Sequence, residues 1–169
     1  KNKTYNSFFN LAIVNKILKI HGKAKVVTGT NVFAHIDDLI TFIKNIKKIL
    51  DPKKGICVIE VPHFLHLINK LEYDTIYHEH LSYITVQPLI SFLKKYKMEI
   101  VDVQQRDIHG GSIRIFFSMI GNFKIKSNVA KVCKLESISK INSKKTLDIF
   151  SQKVKKNRFQ LVSLLTKLR

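Results

Sequence analysis

Apolar residues recur at helical intervals over residues 5–20, where Phe8, Phe9, Ala12, Ile13, Ile17 and Ile20 share a face and Gly22 supplies a stop. Lys25-Val26-Val27-Thr28 lacks polar alternation, which predicts a short strand buried on both faces of a parallel sheet. A second stripe, Leu39, Ile40, Phe42, Ile43, Ile46 and Leu50, predicts a helix entered at Asp37-Asp38 and closed by Asp51-Pro52. Gly55 to Val61 reads as another buried strand ended by Pro62, whose ring cannot donate to a ladder. Helix, strand, helix, strand is the rhythm of crossover units around a parallel sheet.

Pro62 to about Leu71 predicts a short helix, followed by a loop. A further helix spans 86–96, with Thr85 or a nearby polar group as its cap and Leu89, Phe92, Leu93 and Tyr96 on one face. Glu99–Gln104 and Ser112–Phe117 alternate as strands, and the short link between them predicts an antiparallel pair at the sheet edge. From about Val129 the pattern is helical again, in two segments parted near Asn142-Ser143. The second segment carries an apolar stripe of Phe150, Val154, Phe159, Val162 and Leu165. Composition turns to basic helix after about residue 122, so 1–122 and 123–169 are expected as two units.

Composition narrows the partners. The 30 Lys and Arg against 12 acids give a net charge of +18, which raises a nucleic-acid-binding module as one reading. The lysines, however, run along the whole chain, and the densest basic stretch, from Lys144 onward, fits the solvated face of a helix. No nucleic acid and no membrane are expected as partners, since neither basic–aromatic interleaving nor a long uncharged apolar run is present. Cys57 and Cys133 lie far apart without metal-knuckle spacing, which fits a reducing cytoplasm. The opening residues, Lys1-Asn2-Lys3-Thr4, read as the interior of a longer chain, so the sequence is taken as a fragment.

The richest chemistry lies in Tyr73–Tyr83, which packs two histidines, two acids and three tyrosines into eleven positions. Such groups donate and accept protons near neutral pH and so suit an acid–base site. His78 and His80 are two apart, which misses the helical zinc-protease spacing; on an extended backbone both rings would share one face. A metal-dependent hydrolase using His78, His80 and His109 is a further reading, but no metal site is expected.

Five words in order carry a resemblance: Asn31-Val32-Phe33-Ala34-His35, Glu60-Val61-Pro62, Tyr73 to Tyr83, His109-Gly110-Gly111-Ser112-Ile113-Arg114, and Gly22-Lys23-Ala24 ahead of them. In this order and spacing the chain resembles the sugar C-methyltransferases, which use S-adenosylmethionine to methylate a carbon of a nucleotide-linked keto-sugar. The resemblance implies an α/β fold: the second half of a Rossmann-like class I methyltransferase sheet with an antiparallel strand pair, followed by a helical C-terminal segment. It also implies S-adenosylmethionine as cofactor and a nucleotide-sugar as substrate. The family's cysteine-rich zinc segment and glycine-rich cofactor loop have no counterpart in this sequence, so the fragment alone is expected to be inactive or a non-catalytic remnant.

Residue by residue, the resemblance implies His80 as the base, with Tyr77 and Glu79 as its companions and His35 stabilising an enolate. Thr30, Asn31 and Val32 are implied at the cofactor. His78, His109, Gly110, Ser112 and Arg114 are implied at the substrate, the glycines offering backbone N–H groups and Arg114 a contact to a diphosphate.

Overall fold

A computed structural model describes residues 3–108 and 110–168 of the chain. Among the described residues twelve segments follow one another, of which two are single 3-10 turns, at Phe33–His35 and Tyr73–Thr75. The helices are α1 (Leu11–His21), α2 (Leu39–Ile49), α3 (Phe64–Lys70), α4 (Val86–Lys94), α5 (Ser127–Ile138) and α6 (Lys144–Lys167). The strands are β1 (Val26–Thr30), β2 (Ile56–Pro62), β3 (Met98–Arg106) and β4 (Ser112–Met119), in the sheet order β1-β2-β4-β3. β1 and β2 are parallel across α2, whereas β4 runs antiparallel to both β2 and β3. This is the half-sheet that the family resemblance implies.

Local chemistry places most boundaries. The Asn10 side chain accepts the Ile13 amide and so starts α1 six residues later than the apolar pattern alone predicts. Phe9 then lies ahead of the helix and packs edge-on against Phe42, with ring centroids 5.5 Å apart. Asp38 caps α2 by accepting the Thr41 amide at 2.9 Å, as its position predicts.

Two expectations fail for reasons beyond the local sequence. β1 is not buried on both faces: Thr28 and Thr30 are exposed and Val26 is 57% exposed. The cause is that, among the described residues, β1 pairs only with β2 and no helix covers one of its faces. Thr85 precedes α4, but its side chain makes no capping bond. The Glu136 carboxylate of α5 caps α4 instead, accepting the amides of Val86 (2.6 Å) and Gln87 (3.1 Å).

The core lies on one side of the sheet. Cys57, Ile59 and Val61 of β2 and Ile113, Ile115 and Phe117 of β4 meet Ile43 and Ile46 of α2, Leu89 and Leu93 of α4, and Val129 and Val132 of α5. Each such side chain contributes about 1.5–3 kcal/mol by leaving water. Helix α5 therefore shares the core of the sheet, although it follows the change in composition near residue 122. A smaller cluster joins Leu65, Leu67 and Ile68 of α3 to Ile141, with Phe150 of α6 against it. No residue of α6 is buried; Phe159, Val162 and Leu165 are exposed, as are its lysines. Among the described residues no helix is long and apolar enough to cross a membrane.

Candidate active site

The carboxyl ends of β1 and β2 open into a cleft of about 340 Å³ lined by Asn31, Ala34, His35, Pro62, Asp74, Thr75, Tyr77 and His80. Asn31 leaves β1 with φ at +54°, a left-handed conformation that asparagine adopts more readily than most residues. Its amide donates to the Glu60 carbonyl at 2.9 Å, tying the ends of the two strands together. The chain then turns tightly through Phe33–His35, with Phe33 and Ala34 buried, so that His35 emerges over the strand ends.

The two histidines meet because a backbone group joins their segments. The Ala34 carbonyl accepts the amides of Leu81 (2.9 Å) and Ser82 (3.2 Å), which docks the Tyr73–Tyr83 loop on the turn that carries His35. The His35 and His80 rings lie edge to face with centroids 4.9 Å apart.

Within the loop the backbone is not extended. The His80 amide donates to the Tyr77 carbonyl at 3.1 Å, closing a turn that brings His80 back over Tyr77. The two rings are 4.3 Å apart, and the Tyr77 hydroxyl lies 3.2 Å from His80 Nε2. His78 consequently does not share a face with His80, because the turn rotates it away; both His78 and Glu79 are exposed and lie outside the cleft lining.

The protonation pattern of His80 follows from its partners. Nδ1 lies 2.7 Å from the Thr75 carbonyl oxygen, which can only accept. In the neutral ring Nδ1 therefore carries the hydrogen and Nε2 presents a lone pair, to which the Tyr77 hydroxyl donates. This is the arrangement of a base in a cleft wall, held in one tautomer by a backbone carbonyl with its acceptor nitrogen resting on a hydroxyl.

The residues assigned to the cofactor are divided. Asn31 lines the cleft, whereas Val32 lines a neighbouring hollow of about 380 Å³ together with Phe8, Phe9, Asp37 and Asp38. His35 lines both and so stands between them. Thr30 is exposed at the end of β1 and lines neither.

Among the described residues, those assigned to the substrate do not join this cleft. Arg114 donates from Nε and Nη2 to the Glu60 carboxylate, both at 2.7 Å, so its fork is held by a cross-strand partner. The Ser112 hydroxyl donates to the Ile108 carbonyl at 3.1 Å and is buried. The expected row of free N–H groups is also reduced, since the Gly111 amide donates to the Ile108 carbonyl at 3.0 Å. Gly110 and Gly111 take positive φ values of 78° and 137°, and a Cβ at Gly111 would lie 2.1 Å from the His66 ring. Close packing under α3 thus explains the second glycine. His109 lies outside the described residues.

Three contributors carry no signal in the sequence: the carbonyls of Thr75 and Ala34, which any residue type supplies, and Pro62, read earlier only as a strand end. Asp74, the acid in the cleft lining, belongs to the Tyr73–Tyr83 cluster, but its spacing points to no particular role. Among the described residues no three His, Cys, Asp or Glu side chains come together as metal ligands would.

The chain matches known proteins along most of its length. Residues 3–103 match a family model described as a methyltransferase domain, and residues 107–169 match one described as a C-methyltransferase C-terminal domain. The chain is also 34% identical over 114 residues to the C-methyltransferase NovU of Streptomyces niveus, an overlap of 68% of this chain and 27% of that protein.

Proposed function

This chain belongs to the S-adenosylmethionine-dependent C-methyltransferases, and from that premise we propose that the protein carrying it methylates a carbon next to the keto group of a nucleotide-linked deoxysugar, with His80 as the base. The observation that carries the reading is the fixed tautomer of His80, which leaves Nε2 as the acceptor nitrogen of a residue lining the same cleft as His35. A carbon beside a carbonyl becomes nucleophilic only once its proton is removed, so the reaction needs a base and a partner for the enolate oxygen. Histidines brought to one cleft from two separate loops supply both.

S-adenosylmethionine, when bound, supplies a methyl group already electrophilic on its sulfonium sulfur. Asn31 and Val32 fit one side of such a group: they leave β1 at its carboxyl end, where open α/β sheets take their ligands, and the positive φ of Asn31 turns the chain over the strand ends. The bound sugar displaces the Tyr77 hydroxyl from the Nε2 lone pair, and His80 takes the sugar proton there, with the C–H electron pair left on the sugar. Nε2–H then becomes a donor and the Tyr77 oxygen its acceptor. The Nδ1–H bond to the Thr75 carbonyl persists through both states and holds the ring in place. His35 faces the developing oxyanion. His78 and Glu79, exposed on the same loop, meet the part of the nucleotide-sugar that stays outside the cleft.

The test is isotope exchange followed by turnover in the full-length protein. Wild type is expected to wash deuterium from solvent into the carbon beside the keto group without methyl donor. His80→Asn keeps a donor for the Thr75 carbonyl but lacks the second nitrogen, and should lose exchange and methyl transfer by about 10²–10⁴-fold. Wild-type exchange in His80→Asn and His80→Ala would remove His80 as the base.

A further inference from the structure

The loop that carries His80 leaves the end of β2 and comes back beside it at one point. The His63 amide donates to the Gly111 carbonyl at 3.0 Å, and the next amide, that of Phe64, donates to the Ile84 carbonyl at 3.1 Å. His63 and Ile84 are bridge partners, so α3, the 3-10 turn and the Tyr73–Tyr83 cluster form one excursion with its ends held side by side. Bridging those ends is a carboxylate from outside the excursion. Glu136 accepts from His63 Nε2 at 2.9 Å on one end, and from the amides of Val86 and Gln87 on the other. The side chains of His63 and Glu136 are 0% and 1% exposed.

Burying a carboxylate is costly unless every lone pair is used, and this one is used on both ends of the same loop. His63 lines a small hollow of about 10 Å³ together with Ala34, Thr75, His80, Ser82 and Tyr83. A space of that size admits one water at most. Its Nδ1 is buried with no protein partner. Because a carboxylate only accepts, Nε2 carries the hydrogen in the neutral ring and Nδ1 is an acceptor on the side left free. His63 thus shares a hollow with both His80 and Thr75, the residue whose carbonyl orients the His80 ring.

We propose that Glu136, acting through His63, is a positioning residue for His80: it clamps the two ends of the 64–84 excursion and so sets where the base stands over the cleft. The proposal rests on the reading of His80 as the base, but the clamp has a readout of its own. A displacement of about 1 Å at a reacting group costs on the order of 10²-fold in rate, whereas contacts that bind substrate away from the cleft are unaffected.

Glu136→Gln, His63→Ala and His63→Gln in the full-length protein test this. Glu136→Gln puts an amide N–H against a donor. His63→Ala removes the link, and His63→Gln restores an N–H where Nε2 stood. The clamp predicts that Glu136→Gln and His63→Ala lower kcat by about 10–100-fold with little change in KM for the nucleotide-sugar. His63→Gln should recover most of the loss. Amide hydrogen exchange should rise across residues 75–82 and stay near wild type in β2 and β4. A purely structural role would instead raise exchange in the sheet and lower the melting temperature without rescue by His63→Gln. Unchanged exchange across 75–82 in folded Glu136→Gln protein overturns the clamp whatever the activity. Raised exchange there, with a wild type that washes no deuterium into its substrate, keeps the clamp and overturns the role of His80.

Discussion

Asn31 shows how one residue type serves a position. Its φ of +54° lies where a Cβ meets the following carbonyl, and its amide still reaches the Glu60 carbonyl. An Asn31→Ala substitution should cost about 1–2 kcal/mol, the left-handed penalty of an ordinary residue, while Asn31→Gly should cost less than Asn31→Ala. Urea unfolding midpoints at constant slope measure this, and equal midpoints for the two variants would show that the conformation is not strained. His80 teaches a different lesson at the same scale. Its identity was prominent within the cluster, yet the atom that makes it a base is chosen by the Thr75 carbonyl, a group that every residue carries.

At the scale of elements, helix α5 is held to the sheet by a buried charge. β3 is irregular between Ile100 and Asp102, and the Asp102 carboxylate there takes hydrogen bonds from Lys126 (3.0 Å), Gln104 (3.1 Å) and Asn128 (3.1 Å). Burial pushes this carboxyl up, but the three hydrogen bonds together outweigh it and hold the group below the usual carboxylate range. A pKa depressed in the folded state contributes stability that is complete above the unfolded value of about 3.9 and is lost as pH falls through the folded one. The stability gap between wild type and Asp102→Asn should therefore be constant from pH 7 to about 5 and close below about pH 4. An undiminished gap at the acid end of a urea-unfolding series would contradict the hydrogen-bonded, ionised state. Capping shows the same dependence on distant partners: α2 takes its cap from Asp38 next to it, α4 from Glu136 fifty positions on.

At the scale of the whole molecule, the core beneath the sheet makes the two cysteines unequal. Cys57 on β2 is 1% exposed, and burial pushes its thiol up to about 12. Cys133 on α5 is half-buried and is also raised by burial, to a lesser degree. The thiolate is the reactive form, so a thiol reagent near neutral pH should modify Cys133 first and Cys57 only on global unfolding. Peptide mass spectrometry over a labelling time course resolves the two sites. Labelling of Cys57 in native buffer as fast as in urea would mean that the core opens locally.

The order of helices and strands, the start of α2 and the collection of proton-handling groups in Tyr73–Tyr83 were all determined by the sequence itself, because periodicity, side-chain caps and residue chemistry act within a few positions. Only the tertiary structure decided that β1 is exposed, that Arg114 faces Glu60, that Glu136 caps α4, and that His35 and His80 share a cleft through the Ala34 carbonyl. Each of these pairs groups far apart in the chain, or uses a backbone atom common to all residues. Local pattern encodes the period of an element and the face it buries, but the partner that covers that face is selected by the packing of the molecule as a whole.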